Sequence, residues 1–530
     1  MKSNRYFKKP NFQKKNAINV KEPEFPKTLN NTYLGQKGYT IPKSDLTIEQ
    51  LELLKQMLMV KPCVMGAGAL FTFGTDPVFP VYRESNKKIY IPRFFGENHF
   101  GIAKTNQLTS GEDIDTPFAG SLRSNQIPVV KTFMENADKG GGLLELPCAF
   151  GKTTISLNII SQLKKKTLVI VNKEFLLNQW VDRISQFLPT ARVGRIQGQV
   201  VDIENKDIVI GMLQSLSMKD YPTETFVSFG LTIIDEVHHI SSEVFSRALF
   251  KIVTKYMLGL SATMERKDGT THIFKMFLGE VVFKGDRDED FPVCVRAITY
   301  KSEDPVFNNV EVDFRGNPKY STMIVKLCEY NRRSDFIVRI IKDLINEQPD
   351  KQIMILCHNR SLLTYLHDAI EYRKIATVGF YVGGMKQSSL QETETRLIVL
   401  ATYAMAAEAL DIKTLSTLVM VTPKTDIVQS VGRILRVRHE KPIVVDIVDT
   451  HDLFQNQWAQ RRRFYKKCNY RIRQIDSDKY NDMLLDWETD TTWKRVYEPK
   501  KILDKGLNSE DEEENGKKTL GKCLIQLEED

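Results

Sequence analysis

Leu143-Leu144-Glu145-Leu146-Pro147-Cys148-Ala149-Phe150-Gly151-Lys152-Thr153-Thr154 decides how the rest of this chain is read. An apolar run enters a turn, passes through Gly-Lys-Thr and continues into the apolar, helix-like Ile155–Leu163. The order is strand, loop, helix, and the loop lies at the strand's C-terminal end, where open α/β sheets bind ligands. Gly151 lets the backbone turn so that successive N–H groups face one concavity at the positive end of a helix. Lys152 is then placed for β- and γ-phosphates, and Thr153 for a hydroxyl contact to Mg2+. The first glycine of the usual phosphate-loop pattern is replaced by Leu146. The plain alternative is a β-turn with a chance Gly-Lys-Thr, and residues further along weigh against it.

Leu231-Thr232-Ile233-Ile234 leads into Asp235-Glu236-Val237-His238-His239. Asp235, at the end of a buried-type strand, is positioned to hold hydrated Mg2+, and Glu236 to take a proton from an attacking water. With no third ligand nearby, the paired histidines do not make a zinc site. Ser261-Ala262-Thr263 follows the next strand, with hydroxyls able to bond to the acidic motif. Far downstream, Gln429-Ser430-Val431-Gly432-Arg433-Ile434-Leu435-Arg436 sets Arg433 and Arg436 three apart, on one face of a helix. Across an interdomain cleft those guanidinium groups can meet a γ-phosphate; a solvated basic face is the alternative.

The chain has 530 residues, 42% hydrophobic and 27% charged, as expected of a globular protein with more than one domain. The Gly-rich run Pro62–Thr75 is too short to span a bilayer, and basic Met1–Lys15 lacks the apolar core of a secretory signal. An intracellular site in cytoplasm or nucleus is expected, without membrane association. Seven scattered cysteines form no CxxC pair, which fits a reducing compartment and argues against zinc or iron–sulfur modules. The net charge of +8 points weakly toward nucleic acid.

Strands of near-continuous apolar character alternate with helices between Arg123 and Ala262, and again from Gln352 to Val448. Two tandem parallel-sheet α/β domains are expected, each covered on both faces. The divisions expected are a basic arm (1–30), a small accessory domain (31–118), a first α/β domain (119–284), and a connector or insertion (285–325). A second α/β domain (326–455), a basic extension (456–506) and an acidic, disordered tail (507–530) follow. Tyr82, Arg83, Tyr90, Arg93, Phe94 and Phe95 offer a stacking surface, or else accessory core. Arg461, Arg462 and Lys466, in the run Gln460–Arg473, are candidates for gripping phosphates.

In order and spacing, Lys152, Asp235-Glu236-Val237-His238, Ser261-Ala262-Thr263 and Gln429-x-x-Gly432-Arg433-x-x-Arg436 resemble a superfamily 2 helicase of the XPB-like branch. The resemblance runs from Leu122 to Asp449 and is strongest to helicases of nucleocytoplasmic large DNA viruses. It implies two RecA-like domains with ATP and Mg2+ between them, the metal held by Thr153 and Asp235. It adds Arg123 and Gln126 to a nucleotide site made by Pro147, Cys148, Ala149, Phe150, Gly151, Lys152, Thr153 and Thr154. Asn172, Lys173 and Thr402 are implied nucleic-acid contacts, and His238, Ser261, Thr263 and Asp411 a coupling set. Nucleic acid, DNA more than RNA, and the transcription machinery are the implied partners; a motor that moves duplex without separating strands is the alternative. Two departures stand out: Ala409 replaces the usual glycine of the fifth motif, and Arg266-Lys267-Asp268 replaces Arg-Glu-Asp.

Overall fold

A computed structural model describes residues 25–26, 29–61, 78–147, 150–239, 242–264, 269–285, 292–408, 412–480 and 490–499. The basic arm up to residue 24, the acidic tail, Cys148, Ala149, the 266–268 triplet, Ala409 and Asp411 lie outside the described residues.

Two eight-stranded sheets carry the fold. The first runs Val200–Asp202, Val193–Gln197, Ile208–Met212, Thr167–Val171, Leu231–Ile234, Tyr256–Ser261, Gly141–Glu145, Val281–Lys284. All its neighbours are parallel except the first pair. Thr167–Val171, Ile208–Met212, Leu231–Ile234 and Tyr256–Ser261 are buried throughout. Their unbroken apolar runs follow from helices covering both faces, so that no position faces water. Leu143, Leu168 and Ile170 pack on one face, and Leu144, Val169 and Val171 on the other. This alternation along each strand is the two-residue repeat of the pleat.

The second sheet runs Val378–Tyr381, Ile398–Thr402, Gln352–Cys357, Leu415–Met420, Ile443–Asp449, Cys294–Tyr300, Arg471–Asp476, Lys494–Tyr497, antiparallel only at the last pair. Two expected divisions are corrected here. Cys294–Tyr300 is no connector; it is fully buried and pairs on both sides inside this sheet. Arg296 hid that strand from the hydropathy pattern, and its charge is met by Glu347 at 2.6 and 2.7 Å. Nor is 456–506 an appendage, because helix Asp452–Lys467 covers this sheet and Arg471–Asp476 extends it.

The accessory domain is a five-stranded sheet in the order Arg83–Glu84, Lys88–Ile91, Gly38–Pro42, Tyr33–Gly35, Thr105–Asn106. Of the two readings for its aromatics, stacking surface or core, the contacts of Phe95 and Tyr82 fit core. Phe95 lies in the accessory core, and Tyr82 packs against it. Arg93, 8% exposed, bonds to Glu97 and to the Lys255 and Lys139 carbonyls of the first domain. Burying a guanidinium requires that its donors be used this way.

Candidate active site between the two sheets

Strand Gly141–Glu145 runs into the loop, and Leu146 N–H donates to the Ser261 carbonyl at 2.8 Å, fastening loop to neighbouring strand. Gly151 stands at φ +91° and opens helix Lys152–Leu163; a Cβ there would meet Gln126 Nε2 at 2.3 Å. Only glycine fits both the left-handed backbone and that close approach. Gln126, 2% exposed, donates to the Phe150 carbonyl (2.8 Å) and accepts Arg123 N–H (2.9 Å), while Arg123 Nη2 donates to the same carbonyl at 2.6 Å. These two residues, expected at the nucleotide, thus bond to the loop itself and hold its curvature. Lys152, Thr153 and Thr154 form the helix's half-buried first turn, where N–H groups favour anions.

Beside the loop, Lys152 Nζ donates to Glu236 Oε1 at 2.5 Å. Glu236 holds φ +50°, an uncommon and costly backbone for a non-glycine residue. Its other oxygen lies 3.3 Å from His238 Nδ1, which sits 2.7 Å from Ser261 Oγ. The Ser261 hydroxyl donates to the Thr263 carbonyl and accepts Thr263 N–H at 3.2 Å. Its single proton is therefore spent, so the proton between Ser261 and His238 belongs to Nδ1. That leaves His238 Nε2 as the acceptor for Gln429 Nε2–H, 3.2 Å away on the second domain. The Lys152–Glu236 pair of the first domain thus lies beside His238, whose bond to Gln429 reaches the second domain.

Asp235, 6% exposed, is pushed up to about 6 by burial and by the neighbouring Glu236 charge, with Lys152 acting against them. Trp180 Nε1–H donates to Asp235 Oδ2 at 2.9 Å. Trp180 itself is 1% exposed, on helix Glu174–Phe187. The pattern Gln179-Trp180 is visible in the sequence, but nothing there pairs the indole with Asp235. The Thr153 hydroxyl and Asp235 carboxylate are oxygen donors of the kind that would hold Mg2+. Among the described residues no group of three or more His, Cys, Asp or Glu makes a separate metal cage.

In the second domain, Gln429 lies in the short helix Val428–Gly432, and Arg433 opens the 3-10 turn Arg433–Leu435. The expected single helix changes pitch there, and three-residue spacing in a 3-10 turn still sets Arg433 and Arg436 on one side. Arg433 Nε donates to the Ala406 carbonyl at 2.6 Å, tying this turn to helix Tyr403–Glu408. Thr402 ends strand Ile398–Thr402, while Asn172 follows strand Thr167–Val171 and Lys173 caps the next helix; all three stand at C-terminal strand edges.

Arg461 is not among the exposed grip residues. It is 1% exposed, and its guanidinium donates to Asp446 at 2.7 and 2.9 Å, with Tyr465 on the same carboxylate. Arg462 and Lys466 are exposed, but helix Asp452–Lys467 starts at the C-terminal edge and runs away from it.

Residues 119–266 match the family model "Type III restriction enzyme, res subunit", and residues 337–438 match "Helicase conserved C-terminal domain". A protein of Acanthamoeba polyphaga mimivirus, named as an ATP-dependent RNA helicase, is 33% identical over 453 residues, 83% of this chain and 86% of its own. This chain is a superfamily 2 helicase. An African swine fever virus protein, also named as an ATP-dependent RNA helicase, is 30% identical to it over 62% of this chain and 68% of its own. A helicase of Invertebrate iridescent virus 6 is 25% identical over 72% and 88%. The crystal structure of T4 UvsW covers 84% of this helicase and 99% of its own chain at 16% identity and a TM-score of 0.32. The helicase is a nucleic-acid-dependent ATPase whose relatives belong to large DNA viruses. No helix among its described residues is long and apolar enough to cross a membrane.

Proposed function

We propose that this helicase hydrolyses Mg2+-bound ATP in the crevice between its sheets and couples that step to movement along a nucleic-acid strand. The observation that carries this is the juxtaposition of the Lys152–Glu236 pair with His238, whose bond to Gln429 reaches from the acidic motif to the second domain. The γ-phosphate competes with Glu236 for the Lys152 ammonium, since one strong donor faces two anions. Glu236, once released, is the base for the attacking water, one residue from the metal carboxylate. Thr153 and Asp235 hold Mg2+, which neutralises charge on the phosphates. Closure brings Arg433 and Arg436 onto the charge that develops at the transferring phosphoryl group. Asn172, Lys173 and Thr402, at the C-terminal strand edges, contact the strand's phosphates, so binding is largely indifferent to sequence.

We assign it to viral DNA transactions or transcription, with DNA the first substrate to test and RNA, named for two relatives, the second. ATP hydrolysis measured alone, then with single-stranded DNA, duplex DNA and RNA, beside a strand-displacement assay, tests the proposal. Stimulation by at least one nucleic acid is expected. Hydrolysis indifferent to all of them would overturn the coupling. Stimulation by duplex without displacement would mark a translocase that leaves strands paired.

A further inference from the structure

An aromatic ring is held out to solvent on a stiff turn above the second sheet. Phe314 is 89% exposed, at the tip of a turn closed by the bridge Val312↔Pro318. Asp313 locks that turn. Its Oδ1 accepts the N–H groups of Arg315 (2.8 Å) and Asn317 (2.9 Å), and its Oδ2 accepts Asn317 Nδ2 at 3.3 Å. Its own N–H donates to the Asn317 carbonyl (2.8 Å), and its carbonyl accepts Gly316 N–H at 3.0 Å. Gly316, at φ +83°, supplies the left-handed step that the turn needs. The Arg315 guanidinium lies 4.8 Å from the Phe314 ring centroid, and Lys319 is exposed at the turn's base.

The turn's location suggests its use. The segment leaves the C-terminal end of strand Cys294–Tyr300. Tyr320 then anchors it, donating to the Pro423 carbonyl at 3.2 Å with its ring edge-on to His358. Both partners follow the C-terminal ends of strands Leu415–Met420 and Gln352–Cys357, on the edge that also carries Thr402 and leads to the arginine turn. A ring carried on a locked turn, flanked by cations while the adjacent carboxylate is turned inward on backbone N–H groups, matches a base with its phosphates.

We propose that Phe314 is a stacking contact for an unpaired base of the translocated strand, with Arg315 and Lys319 on the flanking phosphates. This rests on the nucleic-acid-coupled reading above. An apolar surface on a partner protein is the rival occupant, and the cations flanking the ring disfavour it.

The full chain and its Phe314→Ala, Phe314→Trp and Arg315→Ala/Lys319→Ala variants are titrated with fluorescein-labelled oligothymidylate and oligouridylate, across a range of salt. Phe314→Ala should weaken single-strand binding by roughly tenfold. Its slope of log K against log salt should be unchanged, and Phe314→Trp should bind like the parent. The double variant should instead flatten that slope by about 0.7 for each phosphate it no longer neutralises. ATP hydrolysis without nucleic acid, and the melting temperature, should stay at parental values in every variant. The thymidylate and uridylate arms decide which strand chemistry the ring takes. A parent bound and stimulated by nucleic acid, beside a Phe314→Ala variant of equal affinity, would overturn this proposal alone and leave the ring to a protein partner. A parent stimulated by no nucleic acid would overturn the functional reading on which the proposal rests.

Discussion

At the scale of single residues, the site is an arrangement of charges that hold one another in check. Lys152→Ala should abolish nucleotide-dependent turnover while the protein folds, since the ammonium it removes is bonded to Glu236 at the site. A purified variant with parental turnover would remove the phosphate-loop assignment. Glu236→Gln should bind ATP and hydrolyse it about 10²–10⁴-fold more slowly, the amide being unable to accept a proton. Single-turnover chemistry and nucleotide binding, measured separately, distinguish that from loss of affinity. Trp180→Phe keeps an aromatic ring but removes the donor to Asp235 Oδ2. It should raise the Mg2+ concentration needed for half-maximal binding of a fluorescent ATP analogue, leaving metal-free binding near parental.

Asp235 and Glu236 are legible in the sequence because acids at the end of a buried strand have few structural uses. Trp180 is not, since its partner arrives from a strand placed beside it only by the sheet's crossover. Arg461 reads as part of a basic run, although Phe454, Trp458, Arg461 and Tyr465 share one helical spacing and are all buried. The stripe outranks the charge.

Elements depend on buried ion pairs as much as on apolar packing. Arg333, on helix Asn331–Glu347, donates to both oxygens of Asp449 at 2.6 and 2.8 Å, with both side chains fully buried. Arg333→Met leaves a carboxylate without its counter-charge and should cost about 3–5 kcal/mol. Thermal unfolding of the double variant Arg333→Met/Asp449→Leu should recover much of the loss, because the stranded charge goes with it. Equal melting of single and double variants would show that the pair's geometry, not its charge, holds the helix. Such pairs also explain what the sequence conceals at this scale. Buried strands of plain Val, Ile and Leu are recognisable from composition, whereas Cys294–Tyr300 and Arg471–Asp476 carry arginines that make core strands look like connectors. Only three-dimensional pairing reveals that those charges are met.

For the molecule as a whole, the proposed mechanism has hydrolysis completed by residues that the first domain does not own. Arg436→Ala should leave nucleotide affinity nearly intact and lower stimulated turnover by ~10³-fold or more, the range of arginine fingers. Turnover without nucleic acid should fall much less, and Arg436→Lys should rescue poorly, because a point charge lacks the planar fork. Equal loss in both conditions would contradict closure-dependent catalysis.

The plan of the second sheet also has a consequence for how the protein is made. Strand Cys294–Tyr300 leaves the ribosome early, yet it pairs with Ile443–Asp449 on one side and Arg471–Asp476 on the other. At ~5–20 residues per second, its edges wait roughly 7–35 s for their partners. The first domain's parallel sheet is complete with Val281–Lys284 and can fold within that interval. Nascent chains stopped short of Arg471 should therefore carry a protease-resistant first domain and an open-edged second one, a state that recruits chaperones or aggregates. Release of the segment from Arg471 onward is thus the step that makes the helicase whole.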